Sequence, residues 1–85
     1  MYKYKDKIVE AIKYTDELTS NSKYPTWLLI AYKNNIIRKY KDGLVREIGF
    51  GDTEFCGKDD YIVKYKEYIY FVCGDCFEQY YKEVN

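Results

Sequence analysis

The chain has 85 residues and a formal net charge of zero, with 14 basic and 14 acidic side chains and no histidine. Its balance of 47% hydrophobic and 33% charged residues is that of a globular protein, so a disordered chain is excluded and one small domain over residues 1–85 is predicted. Because the net charge is zero, no long-range field draws the chain to nucleic acid or to an anionic membrane.

The sequence carries no membrane or secretion signal. No apolar run approaches the roughly 18 residues that span a bilayer, and the first ten residues lack the apolar core of a signal peptide. We therefore expect a cytoplasmic protein without a membrane partner. The composition, with 12 tyrosines and a single proline, favours AT-rich codons and resembles that of small phage and archaeal-virus proteins and of proteins from low-GC bacteria. If the source is viral, the compartment is the cytoplasm of the host cell.

The first predicted element is a helix over residues 4–18. Apolar side chains recur there at intervals of three and four, including Tyr4, Ile8, Ile12 and Leu18, which is typical of an amphipathic helix. Residues 19–25 are small or polar and end in proline, so a loop is predicted there.

Residues 26–50 predict a three-stranded meander. They are rich in strand-favouring residue types and contain two turn signals, Asn34-Asn35 and Asp42-Gly43. With the two-residue period of a strand, a turn at Asp42-Gly43 places six side chains on one face of the sheet. These six are Ile37, Lys39, Lys41, Leu44, Arg46 and Ile48.

The last third of the chain predicts a hairpin and a helix. Residues 61–72 alternate in a pattern that turns near Lys66-Glu67 and leaves one face wholly apolar or aromatic. Residues 76–84 predict a short helix. The predicted fold is therefore α+β, with an N-terminal helix packed on a small antiparallel sheet of about five strands and a short C-terminal helix. No internal repeat is evident.

Two short cysteine segments flank the predicted hairpin. Cys73 and Cys76 are separated by Gly and Asp, and upstream Cys56 and Asp59 are separated by Gly and Lys. Paired ligands two residues apart on a glycine turn are typical of tetrahedral zinc sites. Pair, hairpin, second pair and helix together resemble a treble-clef zinc finger over residues 55–84, with aspartate in place of a fourth cysteine.

That resemblance implies one structural zinc ion held by Cys56, Asp59, Cys73 and Cys76. Asp60, Asp75, a water or a residue of a partner are the other candidates for the fourth ligand.

Three alternatives to a metal site stay open from the residues alone. Cys56 and one of Cys73 or Cys76 are inert buried thiols, or Cys56 forms a structural disulfide, or Cys73 and Cys76 form a redox dithiol at the start of a helix.

Basic residues cluster on the predicted meander and alternate with Tyr32 and Tyr40. This pattern suits a nucleic-acid-binding sheet face, in which cations contact phosphates and tyrosines stack on bases. The candidate residues are Lys33, Arg38, Lys39, Lys41 and Arg46. The alternative is a solvated sheet face, which the zero net charge favours.

An enzyme is not expected, because without histidine the chain has no ordinary proton shuttle near neutral pH and no His-activated nucleophile. The 17 aromatic residues (12 Tyr, 4 Phe and 1 Trp) exceed what a small core hides, and tyrosine is enriched at protein interfaces. We therefore predict a small protein-binding or regulatory module, of the accessory or inhibitory type found in viruses and phages. A nucleic-acid-binding module and a dithiol redox protein are the alternatives.

Overall fold

The computed structural model describes residues 1–15 and 24–84, which form two sheets and two helices. In chain order the elements are β1 Tyr2–Tyr4, β2 Lys7–Lys13, α1 Thr26–Lys33, β3 Arg38–Tyr40, β4 Gly43–Gly49, β5 Asp52–Cys56, β6 Tyr61–Tyr65, β7 Tyr68–Val72, α2 Gly74–Tyr80 and β8 Lys82–Glu83. A five-stranded sheet has the order β7-β6-β2-β1-β8, and a three-stranded sheet has the order β3-β4-β5. The predicted α+β class, antiparallel five-stranded sheet and short C-terminal helix are confirmed.

The predicted N-terminal helix is wrong, because β1 and β2 form an antiparallel hairpin that pairs Tyr2 with Val9. β2 also pairs with β6, which places it in the interior of the sheet. A strand in the interior of a sheet covered on both faces carries apolar side chains on each face. Its apolar positions are therefore closely spaced, and their spacing resembles the three- and four-residue intervals of a helix. Residues 16–18 of the predicted helix and 19–23 of the predicted loop lie outside the described residues.

The first strand of the predicted meander is also wrong, because that segment forms α1. Pro25 is the N-cap, and its fixed φ of −63° leads into the first turn. At the other end Asn35 takes a left-handed φ of 60°, and the Ile36 amide donates to the Ala31 carbonyl at 2.9 Å. This is the Schellman arrangement that ends helices, so the Asn-Asn signal marked a helix terminus rather than a hairpin turn.

The meander itself consists of β3, β4 and β5. Its first turn lies at Lys41-Asp42 instead of Asp42-Gly43, with Lys39 paired to Leu44. The shift of the pairing is two residues, so Lys39, Leu44 and Arg46 still share a face, whereas Lys41 lies in the turn. Gly43 belongs to β4, where an added Cβ would lie 2.6 Å from the Phe55 ring, so the glycine is needed for packing.

The five-stranded sheet has a core on each face. On one face β2, β6 and β7 pack against α1 and the three-stranded sheet; its buried residues are Tyr14, Leu28, Ala31, Ile37, Leu44, Cys56, Ile62 and Phe71. On the other face α2 covers the sheet, and the buried residues there are Val9, Val63 and Phe77. The sheet therefore separates α1 from α2.

The predicted hairpin over residues 61–72 is confirmed, with Tyr61 opposite Val72 and a turn at Lys66-Glu67. The helix α2 packs against the aromatic face of this hairpin. The Phe77 ring stacks on Tyr61 with centroids 3.8 Å apart and on Tyr81 at 4.4 Å, and Tyr2 meets it edge-on at 4.9 Å. Phe77 is thus the anchor of α2.

Three hairpin turns share one short sequence, Lys-Tyr-Lys followed by Asp or Glu. The turns are Lys5-Asp6, Lys41-Asp42 and Lys66-Glu67, and each of these lysines has a positive φ of 50–56°. In each, the lysine ammonium lies 5.3–5.4 Å from the centroid of the preceding tyrosine ring. A cation–π contact therefore accompanies a strained turn residue in all three hairpins.

Within the described residues, no helix has both the length and the apolar character needed to cross a membrane.

We expect Phe77→Ala to lower the free energy of unfolding by about 3–5 kcal/mol, because it removes the ring that fills the α2 core. Urea unfolding followed by circular dichroism measures this change. Tyr80→Ala on the same helix is the matched control, since Tyr80 is 56% exposed; its expected effect is within about 0.5 kcal/mol. Equal losses for the two variants would contradict the packing described.

Candidate functional site

The four predicted zinc ligands do not converge. Cys56 is fully buried in the α1-side core, whereas Cys73 and Cys76 are exposed at the start of α2. The Asp59 carboxylate lies 3.9 Å from the Lys13 ammonium. Among residues 1–15 and 24–84, no three Cys, Asp or Glu side chains are grouped so that they could hold a metal ion. The resemblance to a treble-clef zinc finger is therefore wrong.

A carboxylate links the two glycine turns that suggested a metal. One oxygen of Asp60 accepts a hydrogen bond from the Gly57 amide at 3.0 Å, and the other accepts one from the Gly74 amide at 3.1 Å. Both acceptor oxygens belong to a charged carboxylate, which makes these hydrogen bonds stronger than bonds between neutral groups. We name this arrangement the Asp60 bridge; it connects the segment after β5 to the first residue of α2.

The backbone around the Asp60 bridge is closely packed and tied to β2. The Tyr14 amide donates to the Asp60 carbonyl, and the Asp59 amide donates to the Tyr14 carbonyl, both at 2.8 Å. An added Cβ at Gly74 would lie 3.3 Å from the Asp59 carbonyl carbon and closer still to its oxygen. A side chain does not fit there, so glycine is required for α2 to begin beside the bridge.

The three cysteines have two different environments. Burial raises the pKa of the Cys56 thiol from 9.0 to about 12, with smaller contributions from Asp60 and Glu54. A thiol that stays protonated and inaccessible is unreactive, so Cys56 matches the predicted inert cysteine. A hydrogen bond with Cys73 raises the pKa of the exposed Cys76 thiol. Cys73 and Cys76 lie three residues apart at the start of α2.

The residues proposed for nucleic-acid binding lie on both faces of the three-stranded sheet. Arg38 pairs with Glu47 at 3.2 Å on one face, and Arg46 pairs with Glu54 at 2.5 Å on the other. The ammonium of Lys39 donates to the Tyr14 hydroxyl at 2.6 Å, a bond that raises the lysine pKa. The remaining two are Lys33, in the last turn of α1, and Lys41, over the Tyr40 ring.

Two of these lysines do share a groove. It encloses about 490 Å³ and is lined by Lys39, Lys41, Asp42, Phe55, Gly57 and Lys58. Basic side chains beside an aromatic ring suit phosphate and base contacts. Nucleic-acid binding through part of the predicted set therefore stays a prediction, with the two arginines engaged by carboxylates.

Among the described residues, the large apolar residue most exposed to solvent is Phe50, at the end of the β4–β5 hairpin. Its relative exposure is 109%, and that of Ile48 beside it is 51%. Ile48 is the extra residue of a bulge, because Glu47 pairs with Thr53 and Gly49 pairs with Asp52. We call residues 48–52 the β4–β5 tip.

Phe50 occupies a strained backbone position. The φ angles of Gly49, Phe50 and Gly51 are 114°, 52° and 83°. Two consecutive positive φ angles at the centre of a two-residue turn are the pattern of a type I′ hairpin, which favours Asn-Gly and not Phe-Gly. A non-glycine residue there costs about 1–2 kcal/mol, and Phe50 gains no burial in return. Folding thus gives no reason for phenylalanine at this position.

The surroundings of the tip are acidic. Residues 47–54 contain three carboxylates, those of Glu47, Asp52 and Glu54, and no basic residue. Two of the carboxylates are paired with arginines, and Asp52 is exposed directly after the turn. An apolar point with negative charge beside it complements an apolar pocket with a basic rim, and it opposes insertion into an anionic bilayer.

Comparison with protein-family models, curated proteins and solved structures finds no match to this chain.

The local sequence of the tip indicates an exposed turn, although the overall composition does not. Residues 49–52 read Gly-Phe-Gly-Asp, in which an aromatic residue stands between two glycines. Glycines on both sides indicate a tight turn, and a turn leaves the residue at its centre exposed.

We expect Asp60→Asn to lower the free energy of unfolding by about 1.5–3 kcal/mol, because the amide offers a single neutral oxygen to two backbone N–H donors. Asp59→Asn is the matched control, since asparagine tolerates the φ of 72° at Asp59 and loses only an exposed ion pair. Its expected change is below about 0.5 kcal/mol. Denaturant melts of the two variants measure the difference, and similar stabilities would refute the Asp60 bridge.

Stability should fall as the pH rises above about 9, because the raised pKa keeps Cys56 protonated in the folded state while the unfolded thiol ionises. The loss is about 1.4 kcal/mol per pH unit up to about pH 12, where the folded thiol also ionises. Tyr32 and Tyr81, whose pKa values burial also raises, add to the loss above about pH 10.

Urea unfolding at pH values from 8 to 10 tests this dependence, with Cys56→Ala as the comparison. The variant should be less stable at pH 8 but should lose less stability between about pH 9 and 10 than the natural chain. Parallel pH profiles for the two proteins would show that Cys56 is not the group responsible.

Proposed function

We propose that this protein is a small non-enzymatic protein-binding module, of the accessory or regulatory type, whose β4–β5 tip inserts Phe50 into an apolar pocket of a partner protein. The observation that supports the proposal is a fully exposed phenylalanine held at a strained backbone position. Strain without a gain in folding is a common mark of functional residues.

The size and charge of the tip define the partner's surface. A phenylalanine ring buried in a pocket is a strong anchor, and truncation of such an anchor commonly weakens a complex by 2 kcal/mol or more, about thirtyfold. Ile48 adds apolar contact beside it. Because the exposed Asp52 carboxylate lies directly after the turn, the partner's pocket has a basic group at its rim.

The hairpin that carries the β4–β5 tip suits a binding module. Cross-strand pairing continues to Gly49 and Asp52, so the hairpin supports the tip up to its last two residues. The turns of three other hairpins are each stabilised by a cation–π contact within the Lys-Tyr-Lys sequence. A preorganised tip loses little conformational entropy when it binds.

Nucleic-acid binding is the second candidate. The observation that favours it is the groove in which Lys39, Lys41 and Lys58 lie beside Phe55. Arg38 and Arg46 contribute less, since each already contacts a carboxylate.

We expect Phe50→Gly to retain or raise stability while it removes partner binding. Glycine accepts the φ of 52° without strain, so the free energy of unfolding should rise by up to about 1 kcal/mol. A photo-crosslinking phenylalanine analogue at position 50, introduced into the protein in extract of the source cells, should label a partner protein. Excess unlabelled natural chain should prevent the labelling, and excess Phe50→Gly should not.

The same analogue at position 68 is the matched control, because Tyr68 is 71% exposed and lies on a different hairpin. Identical products from both positions, or equal competition by natural chain and Phe50→Gly, would refute the proposal. A crosslinked product sensitive to nuclease and resistant to protease would support the nucleic-acid alternative instead.

A further inference from the structure

Two free thiols lie three residues apart at the start of α2. Cys73 is the N-cap residue and Cys76 the third residue of the helix, and both are exposed. Residues three apart on a helical turn have neighbouring side chains. The two thiols are therefore neighbours on the same exposed turn. A disulfide between them needs little backbone movement, since Cα atoms three residues apart in a helical turn lie within the range that disulfides span.

The backbone that carries this pair is held on both sides. The Asp60 bridge binds the Gly74 amide at 3.1 Å, and the Phe77 amide donates to the Cys73 carbonyl at 2.8 Å. Phe77 is itself fixed in the aromatic core that α2 covers. The two thiols are thus held close together in the folded state, which raises their effective concentration for reaction with each other.

The third thiol, that of Cys56, lies apart from the other two. Cys56 is 0% exposed and lies in the core on the opposite face of the sheet from Phe77. Its nearest polar partner is the carbonyl of Gly57, at 3.8 Å from the sulfur. The folded protein therefore presents one dithiol and one inert thiol.

We propose that Cys73 and Cys76 are a reversible dithiol–disulfide site, oxidised by exchange with a small-molecule disulfide such as oxidised glutathione. The Cys73 thiolate attacks one sulfur of the glutathione disulfide, and one glutathione thiolate leaves. Cys76 loses its proton to solvent and attacks the Cys73 sulfur, which releases the second glutathione thiolate. Two protein thiols lose two electrons and two protons, and one glutathione disulfide gains them as two glutathione thiols.

The two sulfurs have different roles in this exchange. The hydrogen bond with Cys73 raises the pKa of Cys76, and the charge of Asp75 contributes in the same direction. The raised pKa keeps Cys76 protonated, so we assign Cys73 as the attacking sulfur and Cys76 as the resolving one. Cys73 should be alkylated faster than Cys76.

The test uses the full folded chain in a series of reduced and oxidised glutathione mixtures near neutral pH. Samples are quenched with acid, alkylated and analysed by intact and peptide mass spectrometry. We expect a loss of two hydrogens that maps to the Cys73–Cys76 peptide and reverses as reduced glutathione increases. Cys56 should be alkylated only after denaturation.

Three variants sharpen the result. Cys76→Ser should accumulate a glutathione adduct on Cys73, and Cys73→Ser should form its adduct on Cys76 more slowly. Cys56→Ala should oxidise as the natural chain does. Circular dichroism verifies that each variant is folded, which is expected for the two serine variants because both positions are exposed.

Two outcomes would overturn the proposal. One is a natural chain that carries glutathione on its exposed cysteines without losing two hydrogens. The other is a disulfide that includes Cys56. Phe50→Gly should leave the oxidation unchanged, so failure of this proposal and failure of the proposed binding function are distinguishable.

Discussion

The carboxylate of Asp60 connects parts of the chain that have no strand pairing with each other. Its two oxygens accept the Gly57 and Gly74 amides, while its own backbone bonds to Tyr14 at the end of β2. Through these bonds the start of α2 is fixed beside the sheet, and Phe77 reaches the aromatic face.

The rest of the architecture follows from a sheet covered on both faces. Among the described residues no polar or charged side chain is buried, so both cores consist of aliphatic and aromatic side chains and one thiol. Tyrosine suits this thin structure, because its ring fills the core while its hydroxyl reaches a polar partner near the surface. Tyr14 does so with Lys39, and the hydroxyls of Tyr70 and Tyr81 lie 3.1 Å apart.

The residues proposed for binding and for thiol chemistry lie outside both cores. Phe50 lies at the end of a hairpin, and the two exposed thiols lie at the start of a helix. A residue that is replaced there leaves the packing unchanged, so binding and thiol chemistry can vary without loss of the fold. The two proposed activities use separate parts of the surface and are independent.

Local sequence patterns predict the α+β class, the β6–β7 hairpin with its aromatic face, the short C-terminal helix and the shared face of Lys39, Leu44 and Arg46. These features depend on local alternation and on turn residues, which act within a few positions of the chain. The hairpin of residues 2–13 and the helix α1 in place of a strand depend instead on tertiary contacts, because β2 pairs with β6 and α1 packs on residues distant in sequence. The link between the two glycine turns by a carboxylate, and not by a metal, is likewise visible only in the folded chain, since residue spacing fixes which groups are available but not where their side chains meet.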